Sequence, residues 1–262
     1  MNMRQEQTGN RLLGKTAIVT GAAGGIGRSV TDLFTRNACN VLAVDLNESD
    51  LKKHVSSGGN SRSSHYVADV STLEGNSGMV DAANERYGGV DILIANAGIE
   101  GHVKPLLDYD DAMFDHVMAV NVKGVWNGIR SVVPSMMERG GGSIVVTSSV
   151  AGLRGGMGLS AYCTSKHAVI GLMRSAAKEF ASAGIRVNSV NPSPVETRMM
   201  RSLEQGMIPH DQEAAKHRIT ATIPLQRYAE PNEVAQVMMF LASDESSFVT
   251  GAVYTVDGGN TA

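Results

Sequence analysis

Short apolar, β-branched runs recur along the chain: Ala17-Ile18-Val19, Val41 to Val44, His65-Tyr66-Val67, Ile92-Leu93-Ile94, Ile144-Val145-Val146, Ile185 to Val190 and Ala252 to Val256. Runs this short, bounded by Gly, Asn or Asp, read as strands buried on both faces, as in a parallel sheet. Between them the apolar period lengthens to that of a helix. Ile26, Val30, Leu33 and Phe34 share one face, as do Val122, Val125, Trp126, Ile129 and Val133, and later Ile170, Met173, Ala177 and Phe180. Strand–helix alternation of this kind predicts a doubly wound α/β sheet. No linker or low-complexity block divides the chain, so one domain over residues 1–262 is expected. Residues 193–222 break the rhythm. They are rich in Met, Glu and Gln without a strand-like run, which predicts a helical excursion or lid.

Composition narrows the function classes. The chain has 262 residues, enough for one domain with a substantial core, and 42% of them are hydrophobic against 19% charged. A net charge of -3 gives no basic footprint for nucleic acid. No apolar run approaches the roughly 18–20 residues that span a bilayer, so no membrane partner is expected. Residues 1–14 form a polar extension without the apolar core of a secretion signal, read as the frayed start of a cytoplasmic protein. Cys39 and Cys163 are too far apart in sequence for a redox or metal-ligand motif and read as reduced structural thiols. The 7 histidines show no zinc spacing, and no metal is implied.

Candidate chemistry begins directly after the first strand, at Thr20-Gly21-Ala22-Ala23-Gly24-Gly25-Ile26-Gly27, with an amphipathic helix following. Glycines there allow a tight turn and let the backbone approach a pyrophosphate at the helix N-terminus. The second strand ends in an acid, Asp45, 18 residues beyond Gly27. A carboxylate at that spacing accepts hydrogen bonds from the adenosine ribose hydroxyls and repels a 2′-phosphate, favouring NAD over NADP. The alternative is that Asp45 caps the next helix.

Of six tyrosines only Tyr162 has a lysine four residues on, Lys166. On a helix that spacing puts both side chains on one face. A nearby ammonium, with the positive charge of oxidised nicotinamide, favours the phenolate and lowers a pKa that is otherwise near 10. Ser149 lies 13 residues before Tyr162, at the end of the fifth strand, where ligands gather in parallel sheets. Ser148 competes for the role, but alternation along a strand lets only one of the two face a substrate.

These residues together resemble the short-chain dehydrogenase/reductase superfamily, in its short single-domain branch, over residues 15–259. Thr20-Gly21, Gly25 and Gly27 are similar to that branch's cofactor turn, Asp69-Val70 to its adenine-pocket pair and Asn96-Ala97-Gly98 to its fourth-strand signature. Asn121, Ser149, Tyr162 and Lys166 match its catalytic tetrad. The resemblance implies a Rossmann fold with a seven-stranded parallel sheet and helices on both faces, and a homotetramer. It implies Tyr162 as general acid/base, Ser149 as the group that orients the substrate oxygen, and Asn121 as holder of a relay water at a local helix distortion. Lys166 would bind the nicotinamide ribose and lower the Tyr162 pKa. Val195 and Thr197 would bind the carboxamide, and Ile26 and Leu46 join the cofactor contacts. One departure stands out: Pro192-Ser193-Pro194 replaces the usual Pro-Gly, which predicts an altered loop or substrate fit. Gly24, where NADP-preferring relatives often carry Arg, agrees with Asp45 on NAD. Blander duties remain open: Asp69 as a turn cap, Asn96 as a stitch between strands, and Asn121 as an ordinary helix polar residue.

The function so implied is hydride transfer between NAD(H) and a small secondary alcohol or ketone. Gly155-Gly156-Met157, Leu159 and Met199-Met200 are expected in an apolar, adaptable substrate wall. Residues 96–101 and Lys166-His167 are also similar to dehydrogenases of cyclic secondary alcohols and ketones. Two alternatives are a 3-ketoacyl carrier-protein-type reductase and a non-catalytic dinucleotide sensor. A Ser-His-Asp hydrolase is excluded, because no Gly-x-Ser-x-Gly elbow occurs.

Overall fold

A computed structural model describes residues 9–57 and 62–262. The strands are β1 (Thr16–Thr20), β2 (Asn40–Asp45), β3 (Ser63–Val67), β4 (Ile92–Ala95), β5 (Gly142–Thr147), β6 (Ile185–Pro192) and β7 (Val253–Val256). The helices are α1 (Gly25–Arg36), α2 (Glu48–Ser57), α3 (Leu73–Tyr87), α4 (Asp111–Met118), α5 (Gly124–Glu138), α6 (Ser160–Phe180), α7 (Arg198–Met207), α8 (Gln212–Ala221) and α9 (Pro231–Ala242). All seven strands pair in parallel, in the order β3-β2-β1-β4-β5-β6-β7. The chain therefore reverses its direction of winding between β1 and β4, the switch point outside which parallel sheets bind ligands.

Both faces of the sheet are covered, as the apolar runs require. On one face α3, α5 and α6 pack through Met79, Ile129, Val132, Met136, Val169 and Met173 onto Ile18, Leu42, Leu93 and Ile144. On the other, α1 and α9 pack through Val30, Phe34, Val234 and Met238 onto Val19, Val41, Ile92 and Val145. Each fully buried aliphatic or aromatic side chain contributes about 1.5–3 kcal/mol. At the opposite end of the strands Asp91 ties the layers together. It accepts the Thr16 amide (2.8 Å) and pairs with Arg139 (2.8 Å).

Three expectations need correction. The outer strands are not buried on both faces: Val67 in β3 is 44% exposed, and β7 is at most partly buried, because edge strands lack full helix cover. Trp126 does not join the buried stripe of α5; it is 45% exposed, with the Arg130 guanidinium 4.7 Å above its ring. The buried face of α5 is rotated toward Gly124 and Gly128, which let the helix approach Val70, Asn76 and Leu93 closely. Hydrophobicity alone ignores such small residues and misplaces the stripe. Residues 9–14 are docked, not frayed. Leu12 is buried, its amide donates to the Asn37 carbonyl, and Arg11 pairs with Glu245. The rest of the predicted extension, residues 1–8, lies outside the described residues. The stretch from 193 to 222 contains α7 and α8. No described helix is long and apolar enough to cross a membrane.

Candidate active site

The glycine turn after β1 is shaped by contacts that no side chain could share. Gly21 has φ +66°, and a Cβ there would lie 2.8 Å from Ala97 Cα, in the segment leaving β4. At Gly27 a Cβ would lie 2.2 Å from the Gly21 carbonyl oxygen. Helix α1 then starts at Gly25, with Ile26 half-buried behind it and no side chain capping its first amides. An uncapped N-terminus facing a close glycine turn suits a phosphate. The donor set thus fits a dinucleotide's pyrophosphate.

Asp45 closes β2 beside that turn. Its Oδ2 accepts the Ala23 amide at 3.0 Å, and its Oδ1 the Asn47 amide at 3.2 Å. It is not the cap of α2, because Asn47 Oδ1 takes that role toward the Asp50 amide (3.1 Å). Leu46 is 65% exposed next to it, an apolar surface a flat ring could cover. Asp69 serves a turn, its Oδ1 accepting the Ser71 amide at 2.8 Å, while Val70 is buried against Gly124. Asn96 stitches three strands: its Nδ2 donates to the Thr20 carbonyl (3.1 Å) and its Oδ1 accepts from Thr147 Oγ1 (3.3 Å).

The tetrad residues come together past the ends of β4 and β5. Between α4 and α5 the helix widens into a π turn over Ala119–Lys123, and Asn121 sits within it, buried. Such wide turns cluster at functional sites. The Asn121 amide is fully engaged, accepting from the Ile99 amide (2.8 Å) and donating to the Ile99 carbonyl (2.9 Å) and Ser165 Oγ (3.0 Å). Gly98 lies between Asn121 and Lys166, where an added Cβ would stand 3.2 Å from Asn121 Oδ1 and 3.5 Å from Lys166 Nζ.

Tyr162 and Lys166 lie on the first turns of α6, as the spacing predicts, with Lys166 Nζ 5.6 Å from the Tyr162 ring centroid. The ammonium donates to the Thr147 carbonyl at 2.8 Å. Burial lowers the Lys166 pKa to about 8. Burial also pushes the Tyr162 phenol up to about 12, against the pull of the neighbouring Ser149 hydroxyl and with the Glu100 carboxylate adding to the rise. The ammonium alone therefore does not produce the expected lowering. Desolvation of the ring outweighs an ammonium that is turned toward Thr147.

The choice between the two serines is clear. Ser148 is buried and donates to the Lys166 carbonyl (2.9 Å), whereas Ser149 faces the Tyr162 phenol. Ser149 lies two residues past β5, at the start of a 3-10 turn, not within the strand.

Past β6, Val195 is buried and bridges Ala229, and Thr197 caps α7 and packs its methyl against Gly25. The segment after β6 and the glycine turn therefore touch. Ser193 keeps negative φ, and its amide continues the β6–β7 pairing to the Val256 carbonyl (3.2 Å), so no special loop geometry follows from the lost glycine. Of the expected wall residues, Leu159, Met199 and Met200 are partly buried, but Met157 is fully exposed. Both cysteines are free and buried, and no cluster of metal ligands occurs among the described residues. A groove of about 350 Å³ between α3 and α5 shares no lining residue with these groups.

Three participants were not singled out from sequence. Thr147 supplies the carbonyl that anchors Lys166, Ser165 orients Asn121, and Glu100 acts on the phenol. Ser165 had a signal, since it directly precedes Lys166 on the helix. A backbone carbonyl such as that of Thr147 has none.

Comparison with known proteins places this geometry. The family described as enoyl-(acyl carrier protein) reductase matches residues 21–261. The 3-oxoacyl-[acyl-carrier-protein] reductase FabG of Thermotoga maritima is 41% identical over 251 residues, 95% of this chain and 98% of that one. The levodione reductase of Leifsonia aquatica is 33% identical, over 96% of each chain. A crystal structure of levodione reductase superposes with a TM-score of 0.92, covering 95% of this chain and 98% of the other. That of an NAD+-bound xylitol dehydrogenase scores 0.88 at 32% identity, covering 95% and 100%. With this match along nearly its whole length, the chain belongs to the short-chain dehydrogenase/reductase superfamily of oxidoreductases.

Proposed function

We propose that this protein is an NAD(H)-dependent oxidoreductase that interconverts a small, apolar or cyclic secondary alcohol and its ketone, with Tyr162 as general acid/base. The observation that carries the reading is the Tyr162 phenol standing beside Ser149 and on the same helix face as Lys166. When bound, the dinucleotide supplies or takes up the hydride. The glycine turn at Gly21, Gly25 and Gly27 and the uncapped start of α1 would hold its pyrophosphate, and Asp45 the adenosine ribose. Leu46, Asp69 and Val70 would border the adenine, and Asn96 and Gly98 the passage between the halves. Val195 and Thr197 would face the nicotinamide.

At neutral pH a phenol at about 12 carries its proton, so Tyr162 can donate it to a ketone oxygen. Ser149 can donate a second hydrogen bond to the same oxygen and stabilise its developing charge. Lys166 would bind the nicotinamide ribose, and Asn121 sits in the π turn nearby. The carboxylate at Asp45 supports NAD, as does the likeness to an NAD+-bound relative. A second reading, reduction of a 3-ketoacyl carrier-protein thioester, draws on the FabG likeness. We also propose a cytoplasmic homotetramer, in which the exposed Trp126 and Phe248 would find cover.

The test is absorbance in the NADH band during a screen of secondary alcohols and ketones with both cofactors. NAD-linked turnover of free alcohols is expected. Turnover confined to NADPH and carrier-bound thioesters would replace the first reading with the second.

A further inference from the structure

Away from the tetrad, a cluster of charges surrounds one fully buried carboxylate in the excursion between β6 and α9. Glu204 on α7 has no exposed surface at all. Its Oε1 accepts from the Tyr228 hydroxyl at 2.9 Å, and its Oε2 is 2.9 Å from Arg201 Nη1. Arg201 also pairs with Glu196, and Lys216 of α8 pairs with the other oxygen of Glu196. Both cations lie over the Tyr228 ring, Arg201 at 5.6 Å and Lys216 at 5.2 Å from its centroid. Two carboxylates and two cations thus balance around one aromatic ring, joining α7, α8 and the segment before α9.

Replacing such a buried ionic cluster as a whole by well-packed apolar residues is often neutral or stabilising, so stability alone does not account for its presence, whereas removing Glu204 alone would strand Arg201 and the Tyr228 hydroxyl. What the cluster does control is register. Tyr228 precedes Ala229, which accepts the Glu196 amide (2.9 Å) and donates its own amide to the Pro194 carbonyl (3.0 Å). Glu196 stands between Val195 and Thr197, and Thr197 both caps α7 and rests on Gly25. The strip 194–197 is therefore gripped from behind by side chains of the excursion and from the front by the glycine turn.

We propose that Glu204 is a positioning residue, which through Tyr228, Arg201, Lys216 and Glu196 holds the strip 194–197 in register so that Val195 and Thr197 meet the nicotinamide end of the dinucleotide. This rests on the reading above that those two residues face the nicotinamide.

The test uses the full chain with Glu204→Gln and Tyr228→Phe. Each keeps the shape of its side chain, so both variants should fold. Three measurements apply: hydrogen exchange at the Glu196 and Ala229 amides without ligand, affinity for NADH against affinity for ADP, and KM against kcat. Exchange at those two amides should speed up by roughly tenfold or more beyond any change in global stability. NADH should bind more weakly while ADP, which lacks the nicotinamide half, binds as before. Turnover should fall by roughly 10- to 100-fold, the scale of a misplaced reacting group, with substrate KM little changed. The double variant should be no worse than the poorer single one, since both break one link. Unchanged exchange at the two amides, or faster exchange with NADH affinity and kcat intact, overturns the proposal. Equal losses of NADH and ADP affinity overturn it too. Absence of turnover in the parent protein would instead sink the proposed reaction, while exchange and binding still report on the grip.

Discussion

The Lys166 ammonium donates to the Thr147 carbonyl at 2.8 Å, and the next residue of the strand end, Ser148, donates back to the Lys166 carbonyl at 2.9 Å. The end of β5 and the start of α6 are laced in both directions, so the lysine is held in a buried place whether or not it carries charge. That has a measurable cost. Burial holds its pKa near 8, against an ordinary 10.5. Between those values the unfolded chain binds the proton and the folded one does not, so stability rises with pH. The stability difference between the parent and Lys166→Met should grow in the parent's favour from pH 8 to 10.5, by at most about 3 kcal/mol at about 1.4 kcal/mol per pH unit. Tyr162 acts oppositely. Its folded pKa of about 12 exceeds the ordinary 10, so above pH 10 the unfolded chain loses its proton first and stability declines. Urea midpoints across this range for the parent, Lys166→Met and Tyr162→Phe would check both; a flat parent-to-Met difference contradicts the first.

Replacing Tyr162 by Phe removes one hydroxyl and leaves the ring on α6. Turnover should drop by roughly 100-fold or more, the range of general acid–base contributions, with dinucleotide affinity retained. Full activity in Tyr162→Phe would end the proposed mechanism.

Asp45 has two duties, holding the Ala23 amide and, as proposed, choosing the cofactor. Asp45→Ser keeps a hydrogen-bonding side chain and removes the charge. Discrimination against NADP(H) should narrow, measured as the ratio of kcat/KM for the two cofactors. A ratio equal to the parent's would move the ribose contact elsewhere.

Gly27→Ala puts a methyl group 2.2 Å from a carbonyl oxygen of the same turn. Backbone on both sides leaves no flexible neighbour to give way, so the turn must open. NADH affinity, followed by fluorescence titration, should fall well below the parent's while the sheet persists by circular dichroism. Undiminished binding would mean the phosphates lie away from this turn.

Much of the scaffold was legible because its causes are local. Apolar runs such as Val41–Val44 and Ile144–Val146 must be covered twice, and the glycines after β1 serve a turn only they can make. The placement of Tyr162 and Lys166 on one face of α6 was legible through their spacing. Less was visible where a residue acts through tertiary contacts. Thr147 contributes only a backbone oxygen, and the burial of Gly124 and Gly128 in α5 depends on what faces them. The raised Tyr162 pKa depends on enclosure, which residue spacing cannot convey. The cluster around Glu204 joins residues from 196 to 228, of which only Arg201 and Glu204 stand at a helical i, i+3 spacing.

The wide turn at 119–123 carries a consequence for redesign. A π turn is an ordinary helical rod with one surplus residue, its flanks still in phase. A chain shortened by one there would regain a regular rod with α4 and α5 still buried, while the side chain now clasping Ile99 and Ser165 swung out of reach. Scaffold and the proposed chemistry would be separable at this point, and a folded but inactive protein is the expected product of that one deletion.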